Sequence, residues 1–170
     1  MRTFYTEKEI RQRLKEMTII CDTREQVNYN ITSYLDAKHI SYIERKLDVG
    51  DYAFQCGGQT YETDVAVERK ANLDELAGNL TADRKRFEQE MIRAKARGTK
   101  VFLLIENASW QDIYAHDYKS KLEPKSMIGT LLSWQTRYNV TILFCRSEES
   151  PKLIHGIFYY WLKNALEGGV

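Results

Sequence analysis

The sequence is poor in the residues that mark linkers and loop-rich chains, since its 170 residues include only two prolines and nine glycines. No segment repeats at a fixed period, and the length is that of one ordinary domain. The longest apolar runs, Val101 to Ile105 and Ile157 to Leu162, are about five or six residues long, far below what a membrane span needs. We therefore expect a single domain over residues 1–170, with residues 1–17 as an N-terminal helical extension, and no membrane partner.

Cysteine is also scarce. The three cysteines, Cys21, Cys56 and Cys145, are odd in number, widely spaced and without a C-x-x-C pair. This pattern excludes a disulfide framework and a cysteine zinc site, and it is typical of a reducing compartment. Because the N-terminus lacks the apolar core of a signal peptide, we expect a cytoplasmic protein, in the host cytoplasm if a phage encodes it.

The net charge of +1 hides a strong segregation of charge along the chain. Residues 61–75 contain five acids and two bases, whereas residues 83–100 contain seven bases and three acids. On a helix, Arg86, Arg93 and Arg97 would fall on one side, where they could contact successive DNA phosphates. The alternative is a solvated helix face with internal pairs such as Glu90 with Arg93.

Hydrophobic patterning predicts buried strands that alternate with helices. Apolar runs indicate strands at residues 18–21, 101–105 and 140–144. Two strand-like segments, 41–54 and 61–70, are separated by Gly57-Gly58 and predict a hairpin. A capping box at Thr6 to Glu9 opens a short helix. Further helices are expected at 31–39, 72–78, 83–97, 126–138 and 150–166. The fold class is therefore α/β, with a hairpin in its first half.

The predicted hairpin carries the candidate catalytic residues. Side chains alternate across a strand, so Glu68 and Lys70 share one face and Arg69 lies on the other. With Asp51 on the partner strand, they form an acidic pocket with one cation at its rim. Carboxylate oxygens suit a hard divalent ion, and such an ion can polarise a phosphodiester beside a water held by Lys70. The pattern indicates metal-assisted phosphodiester hydrolysis.

The position of the tripeptide Glu68-Arg69-Lys70 distinguishes it from similar tripeptides in the chain. An acidic residue two positions before a lysine occurs six times, and Glu-Arg-Lys itself begins at both Glu44 and Glu68. Only the second copy follows Gly50-Asp51 across a turn, comes directly after Val65-Ala66-Val67, and has Asp74 four residues past its lysine. We expect Glu44 to lie on a solvated face of the first hairpin strand.

The register of the hairpin leaves one alternative open. A two-residue turn at Gly57-Gly58 would place Asp51 opposite Asp64 and not opposite Glu68. For Asp51 and Glu68 to share an ion, the hairpin needs a wider asymmetric loop or a bulge, and Gly50 is a suitable position for one. The alternative ligand is Asp64.

Three ordered motifs resemble the nuclease domain of the XPF-type structure-specific endonucleases. They are Asp22-Thr23-Arg24-Glu25, Leu47-Asp48-Val49-Gly50-Asp51-Tyr52 and Glu68-Arg69-Lys70-x3-Asp74. The similarity continues through Arg84 to Gln89 and covers roughly residues 18–166. That family belongs to the PD-(D/E)xK superfamily. The resemblance implies a restriction-endonuclease-like fold, in which helices flank a central mixed sheet with a catalytic hairpin.

The resemblance also implies roles for the matching acidic residues and the lysine. Asp51 and Glu68 match metal ligands, and Lys70 matches the residue that orients or activates water. Asp22 matches an acidic residue that supports the metal site from the first strand, so it is expected among the catalytic residues and ligands. The implied cofactor is Mg²⁺ or Mn²⁺.

The remaining motif positions have less defined roles. Arg69 is expected among the catalytic residues, with a salt bridge to Asp74 or Asp22 as the alternative. Glu25 and Asp74 are expected to support the site, although Asp74 could instead cap the next helix. The expected DNA-binding residues are Arg24, Arg84, Lys85, Arg86 and Arg93.

The function implied is a divalent-metal-dependent DNA endonuclease, with selectivity for branched, flap or fork DNA as a further implication. The alternatives are an inactive nuclease fold kept for binding DNA or a partner, and a junction resolvase or restriction-type nuclease. XPF-type enzymes usually carry a tandem helix-hairpin-helix domain after the nuclease domain. Because only Glu167 to Val170 follow the last predicted helix, we expect none here, as in a stand-alone phage or bacterial protein.

A homodimer is the expected oligomeric state. The last helix carries a long apolar stripe that exceeds one core contact, and family resemblance points to pairing through this region. A monomer is the alternative. The stripe consists of Leu153, Ile154, Ile157, Phe158, Trp161, Ala165 and Leu166.

Overall fold

A seven-stranded mixed sheet forms the centre of the computed structural model, which describes residues 5–168. The strand order is β2-β1-β3-β5-β6-β7, and the short β4 pairs with β3. Strands β5, β6 and β7 are parallel to one another, while β3 is antiparallel to both β1 and β5. The strands are β1 Thr18–Cys21, β2 Tyr42–Glu44, β3 Tyr52–Cys56, β4 Gln59–Thr60, β5 Val65–Lys70, β6 Lys100–Glu106 and β7 Val140–Cys145.

Seven helices of the described chain flank this sheet, and their ends follow local sequence signals. The Thr6 side chain and Glu9 form the predicted capping box of α1. Gly98, with φ of 79°, adopts the left-handed conformation that ends α4. The helices are α1 Glu7–Lys15, α2 Tyr29–Ala37, α3 Leu73–Leu80, α4 Arg84–Arg97, α5 Trp110–Tyr114, α6 Pro124–Arg137 and α7 Ser150–Leu166.

Two separate hydrophobic cores cover the two faces of the sheet. On one face, α3, α4 and α6 pack through residues such as Leu76, Phe87 and Leu131. On the other face, α1, α2 and α7 pack through residues such as Leu35 and Phe158. The predicted α/β fold with helices on both sides of a mixed sheet is confirmed.

Strand β5 is buried along its whole length and contributes to both cores. Ala66 belongs to the α3–α4–α6 core, and Val65 and Val67 belong to the opposite one. Because side chains alternate along a strand, Glu68 and Lys70 lie on the α3–α4–α6 face and Arg69 lies on the α7 face.

The first hairpin strand differs from the prediction. Residues 42–44 form β2, which runs parallel to β1 at the edge of the sheet and does not pair with β5. Residues 45–51 then cross to β3. Glu44 is nonetheless exposed, as expected for the first Glu-Arg-Lys copy.

Four extra residues of the hairpin lie in its second half, after the Gly57-Gly58 turn. Gln55 pairs with Thr60 across the Gly57-Gly58 turn, whereas Tyr52 pairs with Val67. Residues 61–64 therefore form an additional turn between β4 and β5, closed by the Val65 N–H donating to the Tyr61 carbonyl at 3.1 Å. This asymmetric loop provides the register shift that the sequence required.

The region before α6 contains a helix that patterning predicted as loop. The five-residue α5 starts at the Ser109 cap, whose side chain accepts from the Asp112 N–H at 3.2 Å. Ser109 with Asp112 three residues later is a capping signal that the sequence contains. No helix within residues 5–168 has both the length and the apolar character that a membrane crossing requires.

Candidate active site

Asp51, the residue directly before β3, lies beside Glu68 of the neighbouring antiparallel strand β5. Tyr52 pairs with Val67, so the next position along each chain brings Asp51 across from Glu68. The Asp51 N–H donates to the Val67 carbonyl at 2.8 Å, and the Arg69 N–H donates to Asp51 Oδ2 at 2.7 Å. Asp64, the alternative partner of Asp51, is an exposed residue of the additional turn.

Gly50 permits the close approach of these two strands. Its φ of 74° is in the left-handed region, and a Cβ there would lie 2.9 Å from the Val67 carbonyl oxygen. Its N–H donates to Glu90 Oε1 on α4 at 3.0 Å. The turn that carries Asp51 is therefore fixed from both sides, by β5 and by α4.

Lys70 lies between acidic groups at the end of β5. Its Nζ donates to Glu68 Oε1 at 2.6 Å and lies 3.6 Å from Glu75 Oε1. It also lies 5.1 Å from the centre of the Phe87 ring, within cation–π range. Both Lys70 and Glu68 are about 95% buried, with 6% and 5% of their surfaces exposed.

The electrostatics of Asp51, Glu68 and Lys70 favour the binding of a cation. Burial, together with the nearby Asp51 carboxylate, raises the pKa of Glu68 to about 8, although Lys70 opposes the shift. Burial likewise raises the pKa of Asp51 above its ordinary value. Burial acts to lower the pKa of Lys70, but the Glu68 and Asp51 carboxylates outweigh it and raise the value. Two carboxylates that both resist ionisation gain from a bound divalent ion.

The donor set of the pair fits a hard divalent cation. Within residues 5–168, Asp51 Oδ1 and Glu68 Oε2 accept no hydrogen bond, so each carboxylate retains one oxygen for an ion. No group of three or more His, Cys, Asp or Glu side chains in this part of the chain is arranged to hold a metal. Mg²⁺ in phosphoryl chemistry is commonly held by one or two carboxylates, with water and substrate phosphates as its other ligands.

The Asp22 carboxylate, predicted as a metal ligand, instead accepts hydrogen bonds from neighbouring residues. It accepts from the Leu47 N–H at 2.7 Å and from three donors of Arg24 at 2.7–2.8 Å. These four bonds use the lone pairs of both oxygens, and the bonds from Arg24 and Leu47 lower the pKa of Asp22 despite its burial. Asp22 anchors Arg24 and the segment before Asp51 instead of presenting a free oxygen to a metal.

Arg69 is a buried structural residue in this geometry. Its Nε and Nη2 form two bonds with the Glu106 carboxylate at 2.7 and 2.8 Å, and its Nη1 donates to Glu25 Oε1 at 2.7 Å. Ser150 Oγ also donates to Glu106. Arg69 therefore forms a salt bridge beneath the strand, as the alternative had it, but with Glu106 and Glu25 in place of Asp74 or Asp22. Glu25 supports β5 through this contact.

Asp74 forms a long-range contact that the motif did not predict. Its Oδ1 accepts from the Lys119 N–H at 2.7 Å, and Asn72, not Asp74, caps α3. Asp74 is therefore neither the helix cap nor a partner of Arg69.

The predicted DNA-binding residues occupy exposed positions. The Arg24 side chain is 57% exposed although it pairs with Asp22. Arg86 pairs with Asp83 at 3.3 Å, and Arg97 pairs with Asp48 at 3.0 Å. Arg84, Lys85 and Arg93 are exposed on α4.

Sequence reasoning missed Glu90, which it considered only as a partner of Arg93. The structure instead pairs Glu90 with the Gly50 N–H, and its charge contributes to the raised pKa values of both Asp51 and Glu68. A backbone N–H that lies 40 positions away leaves no signal in local sequence.

The mixed sheet flanked by helices has the restriction-endonuclease-like fold, and one end of it carries Asp51, Glu68 and Lys70. Residues 21–157 match the model of the ERCC4 domain. The chain belongs to the ERCC4 domain family of DNA nucleases, whose members generally depend on a divalent metal. The resemblance to XPF-type nuclease domains is thereby confirmed.

Solved structures of XPF from Aeropyrum pernix share the fold. One matches with a TM-score of 0.63 and 19% identity over 85% of this chain and 61% of that chain. A second, in complex with DNA, matches with a TM-score of 0.64 and 18% identity over 86% and 65%. The chain thus spans less than two thirds of the length of these structures. No curated protein sequence matches it.

Proposed function

We propose that this protein is a divalent-metal-dependent DNA endonuclease whose active site consists of Asp51, Glu68 and Lys70. The observation that carries the proposal is the register of β3 and β5, which brings the half-buried Asp51 carboxylate beside the buried Glu68 carboxylate, with Lys70 bound to Glu68. The family supports DNA as substrate, and an XPF structure of the same fold is a complex with DNA.

Each residue has a distinct role in this proposal. Asp51 and Glu68 would hold the Mg²⁺ or Mn²⁺ ion, which when bound supplies charge stabilisation at the scissile phosphate. Lys70, fixed by Glu68 at 2.6 Å, orients the attacking water and offers a positive charge to the phosphate. Asp22 and Arg69 act on the site through structure, by fixing the segment before Asp51 and the end of β5.

The direct test replaces Lys70 and compares it with a matched lysine. Lys70→Met should slow single-turnover cleavage in Mg²⁺ by a factor of roughly 10² or more, the usual extent of acid–base assistance. Lys46→Met removes the exposed lysine of the other Glu-Arg-Lys copy and should cut at the wild-type rate. DNA affinity in Ca²⁺ should change little in either variant, because many bases share the phosphate contacts.

The substrate set decides between the alternatives. Duplex, single-stranded, flap, fork and four-way DNA should be offered with Mg²⁺ and with Mn²⁺. Selective cleavage at a branch supports the structure-selective form of the proposal. If the wild-type protein cuts none of them but binds DNA, it is an inactive nuclease fold. If Lys70→Met cuts as fast as wild type, the site has been assigned wrongly.

We also propose that the protein forms a homodimer through its last strand and helix. Strand β7 is a sheet edge, and its residues after Val140 are only half-buried. On α7, Ile154, Phe158 and Leu162 face the chain's own core, so only part of the predicted stripe remains for a partner. Light scattering at micromolar concentration should give about 40 kDa, twice the 20.0 kDa chain, and a 20 kDa particle would contradict the dimer.

A further inference from the structure

The loop of residues 115–123 lies beside the candidate active site because Asp74 holds it to α3. The Lys119 N–H donates to Asp74 Oδ1 at 2.7 Å. The next residue, Glu75, has its Oε1 3.6 Å from Lys70 Nζ. The loop is therefore bound to the same helical turn that borders the site.

The loop is ordered by its own hydrogen bonds. The Nε2 of His116 lies 2.8 Å from the Ser120 carbonyl oxygen, and the Tyr118 hydroxyl donates to the Leu122 carbonyl at 2.7 Å. The Leu122 N–H donates to Ser120 Oγ at 3.2 Å. Because the backbone is already fixed, a ligand that binds this loop meets a small cost in conformational entropy.

The loop presents cations that are available to a ligand. Lys119 and Lys121 are exposed, and neither forms an ion pair with any side chain of residues 5–168. The acidic neighbours Asp117 and Glu123 form no ion pair in this part of the chain either.

We propose that residues 115–123 form a second DNA-contact element, in which Lys119 and Lys121 bind backbone phosphates that flank the cleaved bond. Asp74 is its positioning residue, since it fixes the loop against the turn beside Lys70. This inference rests on the proposed nuclease function and assigns a DNA contact to a segment outside the three motifs. Lysine contacts to phosphate carry affinity without sequence preference, so the ligand is the backbone of either strand.

The first test measures the salt dependence of DNA affinity. Lys119→Ala with Lys121→Ala should weaken binding of a duplex in Ca²⁺ and reduce the slope of log K against log salt by about 1.8, for two contacts at about 0.9 each. Lys38→Ala with Lys152→Ala is the matched control. It removes two exposed lysines from the α2 and α7 side of the sheet, and its slope should equal that of wild type.

The second test separates positioning from charge at Asp74. Asp74→Asn keeps an oxygen that can accept from Lys119, whereas Asp74→Ala does not. Asp74→Ala should accelerate hydrogen exchange of the Lys119 amide and reduce the salt slope, and Asp74→Asn should restore both. Faster exchange with an unchanged slope would overturn the positioning role.

The outcomes distinguish this inference from the function on which it rests. If wild type binds DNA and the double lysine variant matches its control in affinity and slope, the loop contact is refuted and the nuclease proposal stands. If wild type binds no DNA at all, both are refuted. Because Lys119 and Lys121 are exposed, their replacement leaves the fold intact and the comparison remains valid.

Discussion

Replacing Glu68 by glutamine should abolish cleavage and at the same time stabilise the metal-free protein. The amide resembles the protonated carboxyl in shape but carries no charge that must be buried beside Asp51. Glutamine can also still accept from Lys70 through its Oε1. Loss of the carboxylate removes a metal ligand, so single-turnover cleavage in Mg²⁺ should fall below detection.

The size of the stabilisation follows from the pKa of Glu68. Burial raises this pKa from 4.5 to about 8, so folding opposes ionisation of this group. The Glu68 carboxyl therefore favours the folded state most at low pH. This contribution to the free energy of unfolding is lost as the pH rises from the pKa of the unfolded state through that of the folded state. Each unit between the ordinary pKa of 4.5 and pH 7 contributes about 1.4 kcal/mol, so the upper bound on the stabilisation by Glu68→Gln is about 3 kcal/mol. We expect Glu68→Gln to gain about 1–3 kcal/mol at pH 7.

The assay is chemical denaturation in EDTA at pH 7 and at pH 5, with Glu44→Gln as the control. Glu44 is exposed and belongs to the other Glu-Arg-Lys copy, so its replacement should change neither stability nor cleavage. The gain from Glu68→Gln should be largest at pH 7 and fall below about 1 kcal/mol at pH 5. A destabilised Glu68→Gln protein, or a gain independent of pH, would refute the raised pKa and the facing carboxylates that cause it.

Two further predictions concern the frame of the site. Gly50→Ala should destabilise the protein by more than the about 1–2 kcal/mol of left-handed strain alone, and slow cleavage, because the new Cβ would meet the Val67 carbonyl at 2.9 Å. Gly58→Ala is its control in denaturation and cleavage assays, since the position has positive φ but open space. Glu106→Ala should cost about 3–5 kcal/mol in denaturation, because it leaves the Arg69 charge buried with one partner fewer. A loss below about 1 kcal/mol would contradict this burial.

Patterning predicted most of the elements because each is determined by local residues. The apolar run of β6 and the capping box of α1 both carry their own signals, and both occur where expected. Residues 42–44 were also predicted as a strand, but nothing in their pattern shows that β2 pairs in parallel with β1. Strand pairing depends on tertiary contacts between distant segments, and it was the least predictable part of the fold.

The candidate site could be predicted in composition but not in its connections. Asp51, Glu68 and Lys70 come together as the motifs indicated, once the turn at residues 61–64 shifts the register. Their restraints could not be predicted, because Glu90 and Glu106 contact residues about 40 positions away. The Asp22–Arg24 and Glu68–Lys70 pairs each join residues two positions apart and were within reach of local reasoning.

Strand β5 shows why a motif residue need not be a catalytic one. Alternation sends Glu68 and Lys70 to the α3–α4–α6 face, where they meet Asp51, and sends Arg69 to the opposite face, where it meets Glu106 and Glu25. Removing Arg69 would leave Glu106 buried without its main partner, which is costly whatever the reaction. Loss of cleavage after such a change therefore measures the loss of the strand that positions Glu68 and Lys70. A role in chemistry for Arg69 would require activity to fall in a variant whose unfolding free energy is unchanged.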